Sequence, residues 1–230
     1  MRIAGLQNLS LVDYPGHVAA TVFVQGCNFR CGYCQNPDLI ELKEDTLYTE
    51  EEVLKYIVEH KNMLEGLVIT GGEPCIYQDL PEFVERVKEK DFQVKLDTNG
   101  SNPAQLEYMF REKTLDYIAV DVKTSLDKYS LLTDIKNIEE IISETIYLTM
   151  LSTIPYEFRI TCAPGIVDEE AIRSIGELIK GAEKCCLQQF RPNIVYDENF
   201  QGLTPYSKDK LAEFQNILLE TVKTVEIRGI

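Results

Sequence analysis

The chain has 230 residues, of which 44% are hydrophobic and 27% charged, and these proportions are typical of one globular domain with a full core. Its formal net charge of −15 argues against nucleic acid or a membrane surface as a partner, because both require a basic face. We find neither a secretory signal nor an apolar stretch of membrane-spanning length. We therefore expect a cytoplasmic protein, whose seven cysteines are metal-binding, catalytic or buried thiols rather than disulfides.

Strand-like and helix-like patterns alternate along the chain after a short opening segment. Apolar or β-branched runs predict six strands, at residues 18–24, 66–70, 92–96, 117–120, 158–162 and 185–190. A helix is predicted after each strand, and capping residues mark four of the helix starts, at Thr49, Asp79, Asn102 and Asp168. Because parallel neighbours need a crossover, the pattern predicts an α/β protein, an incomplete TIM-like (β/α)6 barrel of parallel strands with an N-terminal extension. We expect a single domain over residues 1–230, with the partial barrel at approximately 17–222.

Three cysteines follow the first predicted strand with the spacing C-x3-C-x2-C, at Cys27, Cys31 and Cys34. A structural zinc site is usually closed by a fourth Cys or His, and neither His17 nor His60 stands beside this trio. Thiolates suit iron–sulfur clusters, which usually take four cysteines. A cluster of four irons held by only three cysteines would leave one iron free for another ligand, and this is the interpretation that the spacing favours.

The other polar motifs fall where predicted strands end. Residues 70–74 end the second strand, residues 97–100 the third and residues 121–123 the fourth. In a barrel of this kind function collects where strands pass into helices, so we expect these motifs to face one mouth together with the cysteines. Taken singly, each has another explanation: the first two could be strand-ending turns, and Asp121 with Lys123 could form a surface ion pair.

Several motifs together resemble a known superfamily. The cysteine loop, the Gly-Gly-Glu-Pro at residues 71–74 and the order of the partial barrel resemble the radical S-adenosylmethionine (SAM) enzymes. Within them, Val12–Gly16, Gln25–Asn28 and Cys34–Pro37 resemble the glycyl-radical activating enzymes, and most closely the anaerobic ribonucleoside-triphosphate reductase activating proteins.

The resemblance implies a cofactor for the cysteine loop. Cys27, Cys31 and Cys34 would hold a [4Fe-4S] cluster, whose fourth iron is chelated by the amino and carboxylate groups of SAM, while Tyr33 would line the adenine site. In the resembling enzymes a reduced cluster passes one electron to SAM, and a 5′-deoxyadenosyl radical results. The cluster and SAM carry this chemistry, so we assign no side chain as a catalytic acid or base.

The resemblance also implies contacts to SAM from the strand ends. Glu73, with the backbone of Gly71 and Gly72, would receive the SAM amino group. The other residues of this expected set are Asp97, Asn99, Asp121, Lys123 and Arg159. Of these, the two aspartates match residues beside a monovalent cation at the SAM carboxylate, and Lys123 matches a lysine at the same ligand. Arg159 could equally form an ion pair inside the barrel.

The implied partners are proteins. In the resembling activators the radical removes a hydrogen atom from a glycine of a glycyl-radical enzyme, here most closely anaerobic ribonucleotide reductase, and flavodoxin or ferredoxin is the usual electron donor. A pyruvate formate-lyase-type activating enzyme is an alternative, although those enzymes generally carry a histidine where this chain has Phe190–Pro192. A second alternative is a radical SAM enzyme that acts on a small molecule, such as a deazapurine precursor. A third alternative is a non-catalytic zinc or electron-transfer protein.

Four further cysteines, Cys75, Cys162, Cys185 and Cys186, do not predict a second cluster. The first two stand at the mouth, whereas the last two begin the sixth predicted strand at the opposite end. A strand of this length separates the two ends by roughly 15–20 Å. We interpret all four as buried or incidental thiols.

Overall fold

The computed structural model describes residues 1–43 and 47–230, and the strands within them form one sheet of eight in chain order. The first strand is antiparallel to the second, and every later neighbour is parallel. The strands are β1 (Ile3–Ser10), β2 (Ala19–Val24), β3 (Gly66–Gly71), β4 (Gln93–Thr98), β5 (Tyr117–Asp121), β6 (Tyr156–Cys162), β7 (Lys184–Gln189) and β8 (Thr224–Arg228).

Six α-helices connect the parallel strands of the described chain. They are α1 (Glu50–Glu59), α2 (Leu80–Lys88), α3 (Pro103–Glu112), α4 (Ile138–Leu151), α5 (Glu169–Leu178) and α6 (Lys208–Leu219). Thr49 and Glu52 form the expected capping box, and the side chains of Asn102 and Asp168 also accept the expected capping hydrogen bonds. Asp79 stands at the start of α2 but makes no side-chain cap, because its carboxylate binds the chain's amino terminus. Within residues 1–43 and 47–230, no helix has the length and apolar character needed to span a membrane.

The predicted partial barrel is confirmed, with one more strand at each edge. β1 pairs with β2 through two register irregularities, and β8 pairs in parallel with β7, so the sheet continues past residue 222 to Arg228. Both strands lie at an edge of the sheet. Both segments are partly polar, and tertiary pairing rather than local propensity makes them strands. No pairing among the described strands joins β1 to β8, which leaves the barrel open.

Two strands of the barrel, β4 and β6, have one apolar and one polar face. On β4, Val94 and Leu96 belong to the hydrophobic core, whereas Lys95 and Asp97 lie on the opposite face. On β6 the residues of the apolar face are Phe158, Ile160 and Cys162, and those of the polar face are Glu157, Arg159 and Thr161. The apolar face packs under the helices, so the polar face is directed into the barrel, where a site can form.

Candidate active site

The cysteine loop leaves the carboxyl end of β2 and is closed at its base. Gly26 turns the chain with a φ of +82°, a left-handed conformation that favours glycine. The amides of Gly26 and Cys27 then donate to the carbonyls of Leu39 and Ile40, at 2.8 and 3.0 Å. These two hydrogen bonds bring the chain back beside its own start, so residues 27–34 project together from the edge of the sheet.

All three thiols of this loop line one cavity. Cys31 is buried, and Cys27 and Cys34 are partly exposed. Cys27 Sγ accepts a hydrogen bond from the Phe29 amide at 3.4 Å, a contact of the kind that tunes iron–sulfur clusters. Burial raises the pKa of the Cys27 thiol to about 12, so the free thiol is neutral at pH 7 and metal ligation must displace its proton.

The donor set of the loop fits an iron–sulfur cluster. In the part of the chain that the structure describes, no three His, Cys, Asp or Glu side chains converge on a single metal ion. A cluster places a different demand on the protein, because its thiolates bind separate iron atoms. The cavity beside the thiols measures about 250 Å³, slightly below the roughly 300–1,000 Å³ of small-molecule sites. Three sulfur donors with open space beside them suit a cluster that a second ligand approaches.

The two glycines at the end of β3 pack against the stem of the cysteine loop. Gly71 has a φ of +117°, and a Cβ there would lie 2.5 Å from the amide nitrogen of Val24. A Cβ on Gly72 would lie 2.1 Å from the carbonyl oxygen of Gly26. Larger residues would therefore push β3 away from the loop. This close approach of two backbones is a reason for the glycine pair that the sequence did not reveal.

Glu73 ties the end of β3 to the end of β4. Its carboxylate is only 1% exposed. Oε1 accepts hydrogen bonds from the Cys75 amide at 2.9 Å and the Thr98 hydroxyl at 2.7 Å, and Oε2 accepts one from the Asn99 amide at 2.6 Å. Burial raises the pKa of Glu73, and the three hydrogen bonds oppose that rise.

Five charged side chains form a continuous network inside the mouth of the barrel. Arg159 bridges two carboxylates: Nη1 donates to Asp97 Oδ2 at 2.8 Å, and Nε donates to Asp121 Oδ1 at 2.7 Å. Lys95 donates to the second oxygen of Asp97, and Lys123 Nζ donates to Asp121 Oδ2 at 2.9 Å. We call these five residues the mouth network. The interior ion pair that the sequence left open for Arg159 is present, and the pair of Asp121 and Lys123 faces the barrel rather than the surface.

The mouth network carries one surplus positive charge, since three cations oppose two carboxylates. Burial alone would raise the pKa values of Asp97 and Asp121, but Arg159 and the adjacent lysines hold both below their usual range. Burial alone would likewise lower the pKa of Lys123, but Asp121 raises it overall. All three groups are therefore charged at neutral pH, beside the cavity.

Every residue predicted for the site lines the one cavity: Cys27, Cys31, Tyr33, Cys34, Gly71, Gly72, Glu73, Asp97, Asn99, Asp121, Lys123 and Arg159. Tyr33 is 3% exposed, and its hydroxyl donates to the Lys123 carbonyl at 3.4 Å. Asn99 Nδ2 donates to Asn28 Oδ1 at 2.9 Å and lies 4.0 Å from Cys27 Sγ. The fold thus brings together residues that stand up to 132 positions apart in the chain, from Cys27 to Arg159.

Sequence reasoning missed four polar residues of this region. Thr98 binds Glu73, Lys95 completes the mouth network, and Thr161 and Gln188 line the cavity from β6 and β7. Alternation along the strands was the available signal, because Lys95 stands two residues before Asp97 and Thr161 two residues after Arg159.

The remaining cysteines are buried, as expected. Cys75 is 2% exposed, and Cys162, Cys185 and Cys186 are fully buried. None of the four lines the cavity. Burial raises the pKa of Cys162 to about 12, so this thiol is neutral and unreactive at pH 7.

Comparison with known proteins gives results that agree with the family resemblance of the sequence motifs. A family model described as the radical SAM superfamily matches residues 21–178, a span that includes all the predicted site residues. A protein of Methanocaldococcus jannaschii named as a glycyl-radical enzyme activating enzyme is 35% identical over 233 residues, covering 99% of this chain and 96% of that protein. The pyruvate formate-lyase-activating enzyme of Streptococcus mutans is 31% identical over 196 residues, covering 78% of this chain and 73% of that enzyme.

A solved structure shares the fold. The crystal structure of Streptococcus suis SuiB bound to S-adenosylmethionine superposes with a TM-score of 0.67 at 12% identity, covering 90% of this chain. The match spans 49% of SuiB, so this chain corresponds to about half of that protein.

Proposed function

Since this chain belongs to the radical SAM superfamily and, within it, to the glycyl-radical enzyme activating enzymes, we propose that it cleaves SAM and generates a glycyl radical on a partner enzyme. One electron, supplied through a bound [4Fe-4S] cluster by a reduced flavodoxin or ferredoxin, would break the bond between sulfur and C5′ of SAM, giving methionine and a 5′-deoxyadenosyl radical that takes a hydrogen atom from the glycine. The products are then 5′-deoxyadenosine and a stored glycyl radical.

The observation that carries this proposal is the single cavity lined by all the predicted residues. In it, Cys27, Cys31 and Cys34 would ligate the cluster, and Tyr33 would contact the adenine of SAM. The cavity lies where parallel strands end, the usual place for function in a barrel.

Glu73, with the backbone of Gly71 and Gly72, would receive the amino group of SAM. The carboxylate already accepts three hydrogen bonds, from the Cys75 and Asn99 amides and from Thr98. A carboxylate offers about four acceptor positions, so one remains for an ammonium group. The same three bonds would hold Glu73 in place before SAM arrives.

The mouth network would attract the carboxylate of SAM through its surplus positive charge, with Lys123 and Arg159 as the cavity-lining cations. A monovalent cation beside Asp97 and Asp121, which the family resemblance implies, stays a prediction. All four oxygens of these two carboxylates already accept a hydrogen bond from a lysine or from Arg159. Three cations already oppose the two carboxylates, and they would repel a further cation, so the proposal does not include it.

We favour anaerobic ribonucleotide reductase as the partner, because the motifs of Val12–Gly16 and Cys34–Pro37 resemble those of its activating proteins most closely. Pyruvate formate-lyase is the second candidate, and the similarity to the Streptococcus mutans activating enzyme favours it. The chain has no histidine after residue 60, whereas formate-lyase activators generally carry one after the last barrel strand.

Electron paramagnetic resonance tests the proposal. Anaerobically reconstituted, reduced protein is mixed with SAM and with each of the two candidate partners, and 5′-deoxyadenosine is measured in parallel. We expect a glycine-centred radical on the reductase. Cys31→Ala should abolish both products, whereas Cys185→Ala, which removes a buried thiol outside the cavity, should retain them.

Each other outcome has a distinct meaning. A glycyl radical on formate-lyase alone would transfer the assignment to that partner. SAM cleavage that depends on an added deazapurine precursor, without any protein radical, would contradict the activase proposal. Tetrahedral zinc on the three cysteines, with no SAM cleavage, would contradict the radical mechanism altogether.

A further inference from the structure

The cavity wall formed by β6 and β7 carries two polar side chains that have no hydrogen-bond partner in the described chain. Thr161 on β6 pairs in register with Gln188 on β7, and both line the cavity and are partly exposed. Within residues 1–43 and 47–230, neither the Thr161 hydroxyl nor the Gln188 carboxamide donates or accepts a hydrogen bond. The adjacent Gln189 differs, because its side chain donates to the Tyr206 carbonyl at 2.7 Å.

At Thr161 and Gln188 this wall is uncharged, and its charged residue is Arg159, two positions before Thr161 on β6. Five charged residues of the described chain line the cavity. They are Glu73 after β3, Asp97 at the end of β4, Asp121 and Lys123 at the end of β5, and Arg159 within β6. These charged side chains suit a ligand group that is itself charged or zwitterionic. Thr161 and Gln188 offer hydrogen bonds without charge, so the group that they contact is polar and neutral.

A glycine presents such a group. Because glycine has no side chain, a protein can recognise it only through its backbone N–H and C=O and through the space left by the missing Cβ. The carboxamide of Gln188 provides both complements, since its oxygen accepts and its NH2 donates, and a threonine hydroxyl can do either.

On the basis of the proposed function, we propose that Gln188 and Thr161 bind the backbone peptide group of the glycine-bearing loop of the partner enzyme. The carboxamide oxygen of Gln188 accepts from the loop's N–H, and its NH2 donates to a loop carbonyl. The Thr161 hydroxyl donates a further hydrogen bond. The two residues thereby hold the glycine in the same cavity as the amino-acid end of SAM.

Binding of a synthetic peptide tests this proposal. The probe is a peptide with the glycyl-radical loop sequence of the candidate reductase, titrated by calorimetry into the cluster-loaded, oxidised protein with SAM present, so that no turnover occurs. We expect Gln188→Leu and Thr161→Val each to weaken peptide binding about tenfold, the usual scale for loss of one or two neutral hydrogen bonds. The affinity for SAM should stay within about twofold of wild type.

A matched control is the next residue of the strand. Gln189→Leu makes the same chemical change, but its side chain binds Tyr206 rather than the cavity, so peptide and SAM affinities should both be retained. Circular dichroism and thermal unfolding show whether each variant is folded. Gln188→Glu keeps the shape of the side chain and removes its hydrogen-bond donors. It should therefore weaken peptide binding, and it provides the test if Gln188→Leu proves unstable.

A second measurement separates binding from cleavage. The reduced Gln188→Leu variant should still form 5′-deoxyadenosine, because SAM still binds. The number of glycyl radicals formed per molecule of 5′-deoxyadenosine should fall, because the glycine is misplaced. Equal peptide affinity in wild type and variants would overturn the proposal and leave the activase function standing. Weaker SAM binding with unchanged peptide binding would assign the two residues to the cofactor instead. If wild type cleaves SAM but binds neither peptide nor partner, both the activase function and this proposal fail.

Discussion

The mouth network and a second group of charged side chains in the described chain differ in their balance of positive and negative charges. The second, which we call the floor network, joins Glu157 on β6 to Lys184 on β7 and to Glu226 and Arg228 on β8. Arg228 holds Glu157 with two hydrogen bonds of 2.9 and 2.8 Å, and Lys184 binds Glu226 at 3.0 Å. Two cations here oppose two carboxylates, whereas the mouth network has three cations for two.

The two networks also differ in what they face. Four members of the mouth network line the cavity, and no member of the floor network does. A balanced network has no charge left for a ligand, and it contributes to stability only as far as its buried carboxylate remains paired. A surplus cation beside a cavity can bind an anion. We infer that the floor network is structural and that the mouth network serves the cofactor.

The largest effect is expected from breaking the floor network with Arg228→Met. Among the described residues, this leaves Glu157, which is 1% exposed, with Lys184 at 3.7 Å and a hydrogen bond of 3.4 Å from the Tyr117 hydroxyl. We expect the free energy of unfolding to fall by about 3 kcal/mol, the scale for a buried charge that loses its partner, with SAM affinity unchanged. Urea unfolding and SAM titration measure the two effects.

The exposed pair of Arg173 and Glu169 provides the control for that variant. Arg173→Met should change the free energy of unfolding by less than about 0.5 kcal/mol. A loss of SAM affinity in Arg228→Met at unchanged stability would mean that the floor network also serves the cofactor.

The next effect is expected from removing the surplus charge with Arg159→Met. Asp97 keeps Lys95 and Asp121 keeps Lys123, so the mouth network becomes balanced like the floor network. We expect SAM affinity to fall roughly tenfold, because one charge-assisted hydrogen bond to the carboxylate is lost. The loss of stability should be smaller than in Arg228→Met. Arg159→Lys retains the charge and should keep part of the affinity; no change in SAM binding for either variant would remove the functional distinction between the networks.

The dependence of the free energy of unfolding on acid pH also distinguishes the two networks. The pKa of Asp121 is lower in the folded protein than in the unfolded chain, so its stabilisation is complete above about pH 4 and is lost as the pH falls towards the folded-state value. Urea unfolding of the cluster-free protein should therefore show no loss from Asp121 between pH 7 and about pH 5, and a fall in the free energy of unfolding that begins below about pH 4. Asp121→Asn should be less stable at pH 7 and should change less with pH. Glu226→Gln in the floor network should follow the wild-type curve closely, since Glu226 is 45% exposed.

The smallest effect concerns monovalent cations. Because three cations of the mouth network already oppose its two carboxylates, replacing potassium and sodium with tetramethylammonium at constant ionic strength should change SAM affinity by less than about twofold. A loss of tenfold or more would show that a cation binds beside these carboxylates, as the family resemblance implies. Arg159→Met, which frees one oxygen of each carboxylate, is the variant in which cation dependence should appear.

Local sequence patterns predicted most of the fold. The capping box of Thr49 and the cap of Asp168 each mark a helix start with a motif of about four residues, and the six inner strands are rich in apolar or β-branched residues. β1 and β8 were missed because an edge strand needs only one neighbour, and a short alternating segment becomes a strand only where that neighbour is present. The site cysteines were found for the same reason as the caps, since their spacing is itself the signal.

Local patterns and tertiary packing thus contribute different kinds of information here. Spacing and strand ends, readable within a few residues, pointed to the cysteines and the polar motifs, and the family resemblance completed the predicted set with residues such as Tyr33 and Arg159. Distances between strands came from the barrel: they showed Lys95 and Arg159 to be partners of one carboxylate, Gly72 to lie against the backbone of Gly26, and Gln188 to be unpaired beside Thr161. Such facts depend on which side chains of distant strands share the same interior. That is a property of the tertiary packing of the sheet, which no short segment of the chain encodes.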